Sequence, residues 1–468
     1  MNEQIDARQL PDPTDANAIV RAFAANPAFR AAEWDELTTE NNPYRRPVRP
    51  ADLEWLDYSK PIAESDYLKL SGLLGHRMLR NVYDCDLLYL PPVDDKAAAI
   101  EQPRFYSDRN RILSAMAGPV LENHLFALLD NGREPVEYAG PEWLRQRVRD
   151  YYERRLAEPG RVFEVAAATR DRRAAATFTL LQFSAFTPAQ YVAVSHGANG
   201  EYQAVHPALR EMLVDEYRGW VRRGEQYRGL LDAAGLRPGA GAYWQLYLTS
   251  SLARGNHLHY LSRRRERCFD FLGAVAHRRI NEELTRDRFR WLFTDGFGGG
   301  TDYFDTGRGT EPTDPDRLVD ALIQPLYEAF GPRAIEGFAA GFSDAAWFAD
   351  LWDEDLSTQL AWADRIDEHQ RKAEQIDRYL TDEHIEVDLD TFVESHEETS
   401  TTHVHDEHRL VMIEVGEMHF WNNVTHKIQL TAGDKLLIPM SRLHGSTVLS
   451  GECTYHQPII PQQLFEKF

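Results

Sequence analysis

Two histidines separated by a single residue, His403 and His405, and a third further along the chain, His444, are the residues best suited to do chemistry. Side chains on a β-strand alternate between faces, so the first two are predicted to point the same way. A third histidine on a neighbouring strand would complete a face of three imidazole nitrogens. Neutral imidazole binds Fe, Cu, Ni or Zn, and three protein ligands leave positions open for a substrate or O2. The spacing therefore predicts a mononuclear metal centre.

Short apolar runs around these histidines predict a small antiparallel β-barrel. The runs are residues 410–413, 418–421, 428–430, 435–438 and 453–456, and turn residues separate them. The arrangement resembles the two motifs of the cupin family, carried here by His403, His405 and Gly416 and by Gly433, Pro439 and His444.

The chain departs from the cupin motifs at two positions. Ser441 stands where the second motif has a glycine, and the register of the usual glutamate ligand falls on Arg409 or Leu410. We therefore interpret the site as three histidines without a carboxylate. The alternative is a cupin-like barrel whose histidines are incidental, since a motif match needs structural context.

Length and composition limit the possible classes of protein. The chain has 468 residues, of which 43% are apolar, enough for two or three domains with sizeable cores. Its three cysteines are far apart, which disfavours a disulfide framework and favours a reducing, cytoplasmic location. We find no signal-peptide pattern and no apolar run long enough to span a membrane. A net charge of −22 repels phosphate backbones and argues against nucleic acid as the main partner.

Three regions with different patterns predict a multidomain α+β chain. Residues 1–130 mix helical segments with proline-rich turns and are assigned to an N-terminal helical domain. Residues 131–380 are predicted to be helical, with apolar side chains at helical spacing in 209–221 and 269–276 and continuous helix over 356–375. A polar linker then leads into a C-terminal β-barrel at residues 381–468.

Several stretches spread along the chain carry a second resemblance, which covers its full length. They are residues 42–46, 56–58, 105–107, 243–248, 403–405 and 443–445. With them the chain resembles the family of N-nitrosourea-forming metalloenzymes that includes the enzyme of streptozotocin biosynthesis. The resemblance implies a homodimer formed through the N-terminal domain, a haem-oxygenase-like helical di-iron domain and a C-terminal cupin. It also implies that the helical domain hydroxylates an arginine-derived guanidine, and that cupin iron and O2 then rearrange the product.

The di-iron ligands that this resemblance implies are largely missing from the central helices. Glu216 is retained, on the apolar face of its predicted helix. Gln190 and Gln226 stand where a glutamate and a histidine are expected. The next carboxylate falls near Arg279, although His277 and Glu282 are close enough to leave that register open.

The last ligand helix of the family should present His, Asp and His, but those registers hold Gly307, Glu311 and Asp314. Glycines and prolines interrupt any helix there, and the glycine-rich residues 296–300 just before it also resist helix formation. We therefore predict that the di-iron centre is absent. The helical domain is then a scaffold or a substrate-binding relic.

With that chemistry lost, the cupin is predicted to receive a compound that a separate N-hydroxylase has already oxidised. We predict an oxygenase with one Fe(II) per chain, bound by His403, His405 and His444, that uses O2 to rearrange an N-hydroxylated guanidine or related N-oxygenated amino-acid derivative into an N–N bond. The acidic chain suits a small cationic, arginine-derived substrate. Three alternatives stay open: a bifunctional enzyme whose di-iron site uses substitute ligands, a cupin of unrelated oxygenase chemistry, and a non-catalytic scaffold that binds metal for folding.

Overall fold

The computed structural model describes residues 10–26, 48–91, 93, 96–131, 140–158, 160–202, 204–237, 243–305, 313–396, 400–422 and 425–468. In these ranges the helices are α1 (Ala16–Ala24), α2 (Leu70–Asp84), α3 (Lys96–Phe105), α4 (Asp108–Phe126), α5 (Leu128–Asn131), α6 (Pro141–Ala157), α7 (Arg161–Ala168), α8 (Arg172–Gly197), α9 (Pro207–Arg222), α10 (Gly224–Ala234), α11 (Thr249–Arg263), α12 (Cys268–Phe297), α13 (Pro315–Phe330), α14 (Pro332–Asp364), α15 (Ile366–Asp382) and α16 (Gln462–Lys467). The strands are β1 (Thr391–Ser395), β2 (His408–Val415), β3 (Glu417–Asn422), β4 (Lys427–Thr431), β5 (Lys435–Ile438), β6 (Thr447–Val448), β7 (Glu452–His456) and β8 (Ile459–Ile460).

The chain divides into two compact units, each assembled from separated stretches of sequence. The first, here called the sheet unit, comprises Met1–Leu125, Gly241–Thr249 and Thr358–Phe468 and contains strands β1–β8. The second, here called the helical unit, comprises Phe126–Ala240 and Ser250–Ser357. Periodicity along the chain cannot reveal which distant segments share a folded unit. The division into three domains at residues 130 and 380 stays a prediction.

Strands β1–β8 form two antiparallel sheets. The larger has the order β1-β7-β2-β5, with β8 also paired to β2, and the smaller has the order β4-β3-β6. Burial alternates along β4 and β7, because successive side chains of a strand point to opposite faces. Gly416 joins β2 to β3 at φ +92°, where an added Cβ would collide with the carbonyl oxygen of Glu452. This turn therefore requires a glycine.

The five apolar runs expected to form strands lie within β2, β3, β4, β5 and β7. Strands β1, β6 and β8 were not expected; β6 and β8 are two residues each, too short for a period-two pattern to show. The predicted fold class, helical regions followed by an antiparallel, cupin-like β-region, is confirmed. Within the described ranges, no helix is both long enough and apolar enough to cross a bilayer.

Helix α15 packs on the larger sheet. Its buried side chains recur at three- and four-residue intervals and join Leu410 and Leu437 in one apolar cluster. The prediction of one continuous helix over residues 356–375 was wrong, because α14 ends and α15 begins on either side of Arg365. Apolar periodicity reports which side chains are buried, and it does not detect a break of one residue.

The helical unit is built around one large apolar cluster that draws on α6, α8, α9 and α11–α14. Helices α12 and α14 cross closely at Gly273 and Gly341: a Cβ added at either would collide with a carbonyl oxygen of the other helix. Helix α12 continues through Gly296 and ends at Gly298, which has φ +74°. The glycine-rich segment thus ends the helix later than expected.

Buried His76 on α2 gives the sheet unit a pH-dependent stability. Burial, aided by the nearby His124, lowers the pKa of His76 to about 3, and its Nε2 lies 2.9 Å from the Tyr67 hydroxyl oxygen. Because the unfolded state binds a proton near pH 6.5 and the folded state does not, stability is lost as the pH falls below that value. We expect the wild type to lose about 1.4 kcal/mol more per pH unit than His76→Gln between pH 6 and 4. Parallel curves of unfolding free energy, measured in urea, would contradict this.

Candidate metal centre

Three imidazole rings converge in the sheet unit. One ring nitrogen from each of His403, His405 and His444 lies within 4.8 Å of the other two. The ring centroids are 4.5 to 4.9 Å apart. In the part of the chain that the structure describes, no other cluster of His, Cys, Asp and Glu side chains has spacing suited to a metal. The three predicted ligands are therefore brought together.

The backbone that carries these rings is less regular than expected. We predicted a strand through His403 and His405, but only His403 pairs, in an isolated antiparallel bridge with His444. The bridge has two hydrogen bonds, from each N–H to the other residue's carbonyl oxygen, of 2.8 and 3.0 Å. The carbonyl oxygen of His405 accepts a third, 2.9 Å from the Ser441 N–H. Backbone hydrogen bonds between the segment of His403 and His405 and the segment of Ser441 and His444 bring the three rings together. Alternation along a single strand does not.

Backbone carbonyls set the orientation of two of the rings. Nδ1 of His403 lies 2.8 Å from the Thr401 carbonyl oxygen, and Nδ1 of His444 lies 2.8 Å from that of Arg442. A carbonyl can only accept, so each Nδ1 carries the proton and each Nε2 keeps its lone pair. Nε2 of His405 and of His444 is buried and has no hydrogen-bond partner among the described residues. Buried acceptors without a partner are rare. These nitrogens fit a bound metal ion.

Burial also keeps the imidazoles neutral. It holds the pKa of His405 and of His444 well below the usual 6.5, and the neighbouring rings lower both further. Burial lowers the pKa of His403 too, against the opposing effect of its bond to Thr401. A protonated imidazole cannot bind a metal, so all three rings are in the ligand form at neutral pH.

A buried guanidinium holds the segment that carries the first two histidines. Arg77 on α2 donates hydrogen bonds of 2.6 Å to the Thr402 carbonyl oxygen and 3.0 Å to its hydroxyl. The hydroxyl of Thr402 in turn donates to Oε1 of Gln245, at 2.8 Å. Arg77 also reaches the Gln245 carbonyl oxygen, at 3.1 Å, and stacks over the Trp244 ring. This network fixes the residue next to His403.

A side-chain amide holds the segment that carries the third histidine. Gln359 donates from Nε2 to the Leu443 carbonyl oxygen and accepts at Oε1 from the Leu443 N–H, both at 3.0 Å. Asp406, next to His405, accepts from the N–H of Leu70 at the start of α2, also at 3.0 Å. Each of the three histidines therefore has a sequence neighbour that is hydrogen-bonded to a helix: Thr402 and Asp406 to α2, and Leu443 to α14. Sequence analysis missed Arg77 and Gln359, because neither has a local motif; Gln245 lies in a stretch that already carried the resemblance.

Removing the Gln359 amide should weaken metal binding without unfolding the sheet unit. Gln359→Ala leaves the Leu443 N–H and carbonyl without partners and frees His444 to turn. Loss of such orienting contacts typically lowers metal affinity by about 10- to 100-fold. Anaerobic titration of the metal-free protein with Fe(II) against a competing chelator measures this. Gln375→Ala, the same substitution at an exposed site on α15, is the control. Equal affinities of the two variants would refute a positioning role for Gln359.

The positions that depart from the cupin motifs have clear structural roles. Ser441 has φ +60°, in the left-handed region where a glycine is normally favoured. Arg409 donates to Asp390 at 2.8 Å, and Leu410 is fully buried in the cluster under α15. Neither can serve as the glutamate ligand of other cupins, so the site contains three histidines and no carboxylate from this register.

In the helical unit, arginine side chains form ion pairs with two glutamates of the expected di-iron registers, Glu216 and Glu282. Arg278 binds Glu216 and lies 2.8 Å from Glu282, while Arg223 lies 3.1 Å from Glu282. Burial alone would raise the pKa of Glu282, but Arg278 and Arg223 outweigh it and hold the pKa below its usual value. Glu282, and not Arg279, lines the cavity beside Gln190. Here guanidinium groups neutralise the carboxylates.

Three further registers of the di-iron set lie within the described residues. Gln226 lies on α10, His277 binds the Tyr151 hydroxyl at 2.7 Å, and Asp314 accepts hydrogen bonds from the first N–H groups of α13. Gly307 and Glu311 lie outside the described residues.

Comparison with known proteins agrees with this architecture. No protein-family model matches the chain. Over 452 residues, however, it is 30% identical to the nitrosourea synthase of Streptomyces achromogenes subsp. streptozoticus, and the match covers 94% of each chain. A match of this coverage extends over both units. The chain belongs to the nitrosourea synthase family.

Proposed function

We propose that this chain is a mononuclear Fe(II)- and O2-dependent oxygenase that rearranges an N-hydroxylated guanidine, or a related N-oxygenated amino-acid derivative, to form an N–N bond of the N-nitroso type in natural-product biosynthesis. The convergence of His403, His405 and His444, with buried Nε2 atoms that lack partners, carries the proposal. The similarity to a nitrosourea synthase supports the reaction class.

The three imidazoles would hold the ion through one face, which leaves coordination positions for O2 and substrate. Bound Fe(II) would supply the one-electron chemistry with O2 that the protein's own side chains lack. The residues of the chain contribute orientation: carbonyls of Thr401 and Arg442 fix two tautomers, while Arg77 and Gln359 hold the flanking backbone.

The substrate is proposed to arrive already hydroxylated. Two irons need several anionic oxygen ligands, and Glu216 and Glu282 are bound to arginines instead. The positive guanidinium of Arg278 lies between the two carboxylates and neutralises their charge, as a metal ion would have to do. An upstream N-hydroxylase would then supply the cupin site. Homodimer formation through the N-terminal region and a cytoplasmic location stay predictions.

Iron content and substrate discrimination test the proposal together. Protein reconstituted anaerobically with Fe(II) should hold about one iron per chain and consume O2 with an N-hydroxylated arginine derivative, but not with its unhydroxylated parent. About three irons per chain, with turnover of the parent guanidine, would instead establish the bifunctional enzyme. Bound iron without O2 consumption for any N-hydroxyguanidine would favour the scaffold.

A further inference from the structure

A cavity inside the helical unit contains polar groups that the proposed function does not use. It has a volume of about 40 Å³ and is lined by α8, α11, α12 and the 3₁₀ turn at Thr301–Phe304. One water needs about 10–15 Å³ by this measure, so the cavity has room for a molecule of about three or four heavy atoms. Aromatic rings form much of its wall: Phe183, Phe186, Tyr191, Phe289, Tyr303 and Phe304.

The guanidinium of Arg254 lines this cavity and has no ion-pair partner among the described residues. The residue is only 7% exposed, and its guanidinium carbon lies 3.9 Å from the ring centroid of Phe186 and 5.1 Å from that of Trp352. These ring faces hold the guanidinium in place. Among the described residues, none accepts a hydrogen bond from it or forms an ion pair with it.

The acidic side chains whose charge acts on Arg254, Asp353 and Asp350, are already bonded to other groups. Asp353 accepts hydrogen bonds from the N–H groups of Arg161 and Val162, at 2.8 and 3.0 Å. Asp350 forms an ion pair with Arg155 at 3.1 Å. Across the cavity, Glu282 is already shared between two arginines. The cavity wall therefore carries a surplus of positive charge.

Two neutral side chains on the same wall also have no hydrogen-bond partner in the part of the chain that the structure describes. Thr187 is 6% exposed and Asn281 is 8% exposed, and both line the cavity. Neither side chain has a hydrogen-bond partner among the described residues. A hydroxyl, an amide and a guanidinium can all donate hydrogen bonds. Buried groups of this kind are nearly always paired, with protein, water or ligand.

The charge of Arg254 distinguishes a ligand from trapped water. Burial lowers the pKa of Arg254 to about 10, so the group still carries its proton at neutral pH. Water can satisfy Thr187 and Asn281, but it leaves the guanidinium charge uncompensated in a site walled by aromatic rings. An uncompensated buried charge is strongly destabilising. A guanidinium fork matches two oxygens of one planar anion.

We propose that this cavity is a binding site for a small planar oxyanion, of the size of formate, bicarbonate or nitrate, held by Arg254 with Thr187 and Asn281 as further donors. The site lies in the helical unit and is separate from the three histidines of the sheet unit. It gives the helical unit a binding role that needs no di-iron centre.

Anion titration of the full-length, metal-free protein tests this site. Calorimetry and thermal unfolding are measured with sodium formate, bicarbonate and nitrate, against chloride at equal ionic strength. We expect saturable binding of at least one planar anion, with an increase in Tm that chloride does not produce. Arg254→Met should abolish both responses, because it keeps the length of the side chain and removes the fork. Arg145→Met, which removes an arginine from α6 outside the cavity, should bind as the wild type does.

Three further measurements keep the test decisive. If Arg254→Met does not fold, Arg254→Lys and Asn281→Ala should each weaken binding by at least about tenfold, because each removes hydrogen-bond donors from the site. His405→Ala should bind the anion unchanged, which separates this site from the proposed oxygenase centre. Equal responses of wild type and Arg254→Met, or a response to chloride as large as that to every planar anion, would overturn the proposal.

Discussion

Replacing His444 with alanine is expected to reduce bound iron from about one per chain to nearly none and to lower O2-dependent turnover by more than about 100-fold. His444 is 1% exposed and its ring stacks against Phe420, so no solvent ligand can readily replace its Nε2. With two imidazoles left, the site loses the three-nitrogen face that holds the ion. Metal analysis after anaerobic reconstitution and an oxygen electrode measure the two effects.

The control is His408→Ala in the same sheet unit. His408 is also buried, and its ring bonds Gln462 and stacks on Phe465. Both variants leave a cavity and should lose comparable stability, on the order of 2–4 kcal/mol, but only His444→Ala should lose iron. Iron retained at the wild-type level in His444→Ala would show that the ion binds elsewhere in the chain.

Replacing Arg278 with methionine is expected to destabilise the helical unit by about 3–5 kcal/mol at neutral pH. The guanidinium is 7% exposed, binds Glu216 and Glu282, and lies over the ring of Tyr191. Its removal leaves two partly buried carboxylates with less neutralising charge, although the aliphatic volume is kept. Urea unfolding of the full chain, followed by far-UV circular dichroism, measures the loss.

The pH dependence identifies the cause of that loss. In the variant, the pKa of Glu282 should rise above its ordinary value of 4.5, so the contribution of this group to stability is greatest at low pH and is lost as the pH rises. The deficit against wild type should therefore shrink between pH 7 and 5. The double variant Glu216→Gln/Arg278→Met should recover part of it. A variant as stable as wild type that takes up additional iron would instead favour a di-iron site with substitute ligands.

Local patterns along the chain were sufficient for five of the strands and for the three histidines that converge. Short apolar runs separated by turn residues identified β2, β3, β4, β5 and β7. The spacing of His403, His405 and His444 identified three histidines that the fold brings together, although His405 lies in irregular backbone. Helix ends were less predictable: a single residue, Arg365, separates α14 from α15 without changing the apolar period.

The sequence by itself determined which residues can bind a metal and which expected di-iron ligands are absent, because residue type alone decides whether a side chain has a suitable donor atom. Only the tertiary structure decided what surrounds them. Arg77, Gln245 and Gln359 reach the histidine segments from positions 84 to 325 residues away, and Arg278 meets Glu216 across two helices. Such contacts depend on how distant helices pack, and that packing leaves no periodic trace in the chain. The same holds for Arg254, which is one arginine among many until folding buries it against the ring of Phe186, with no ion-pair partner among the described residues.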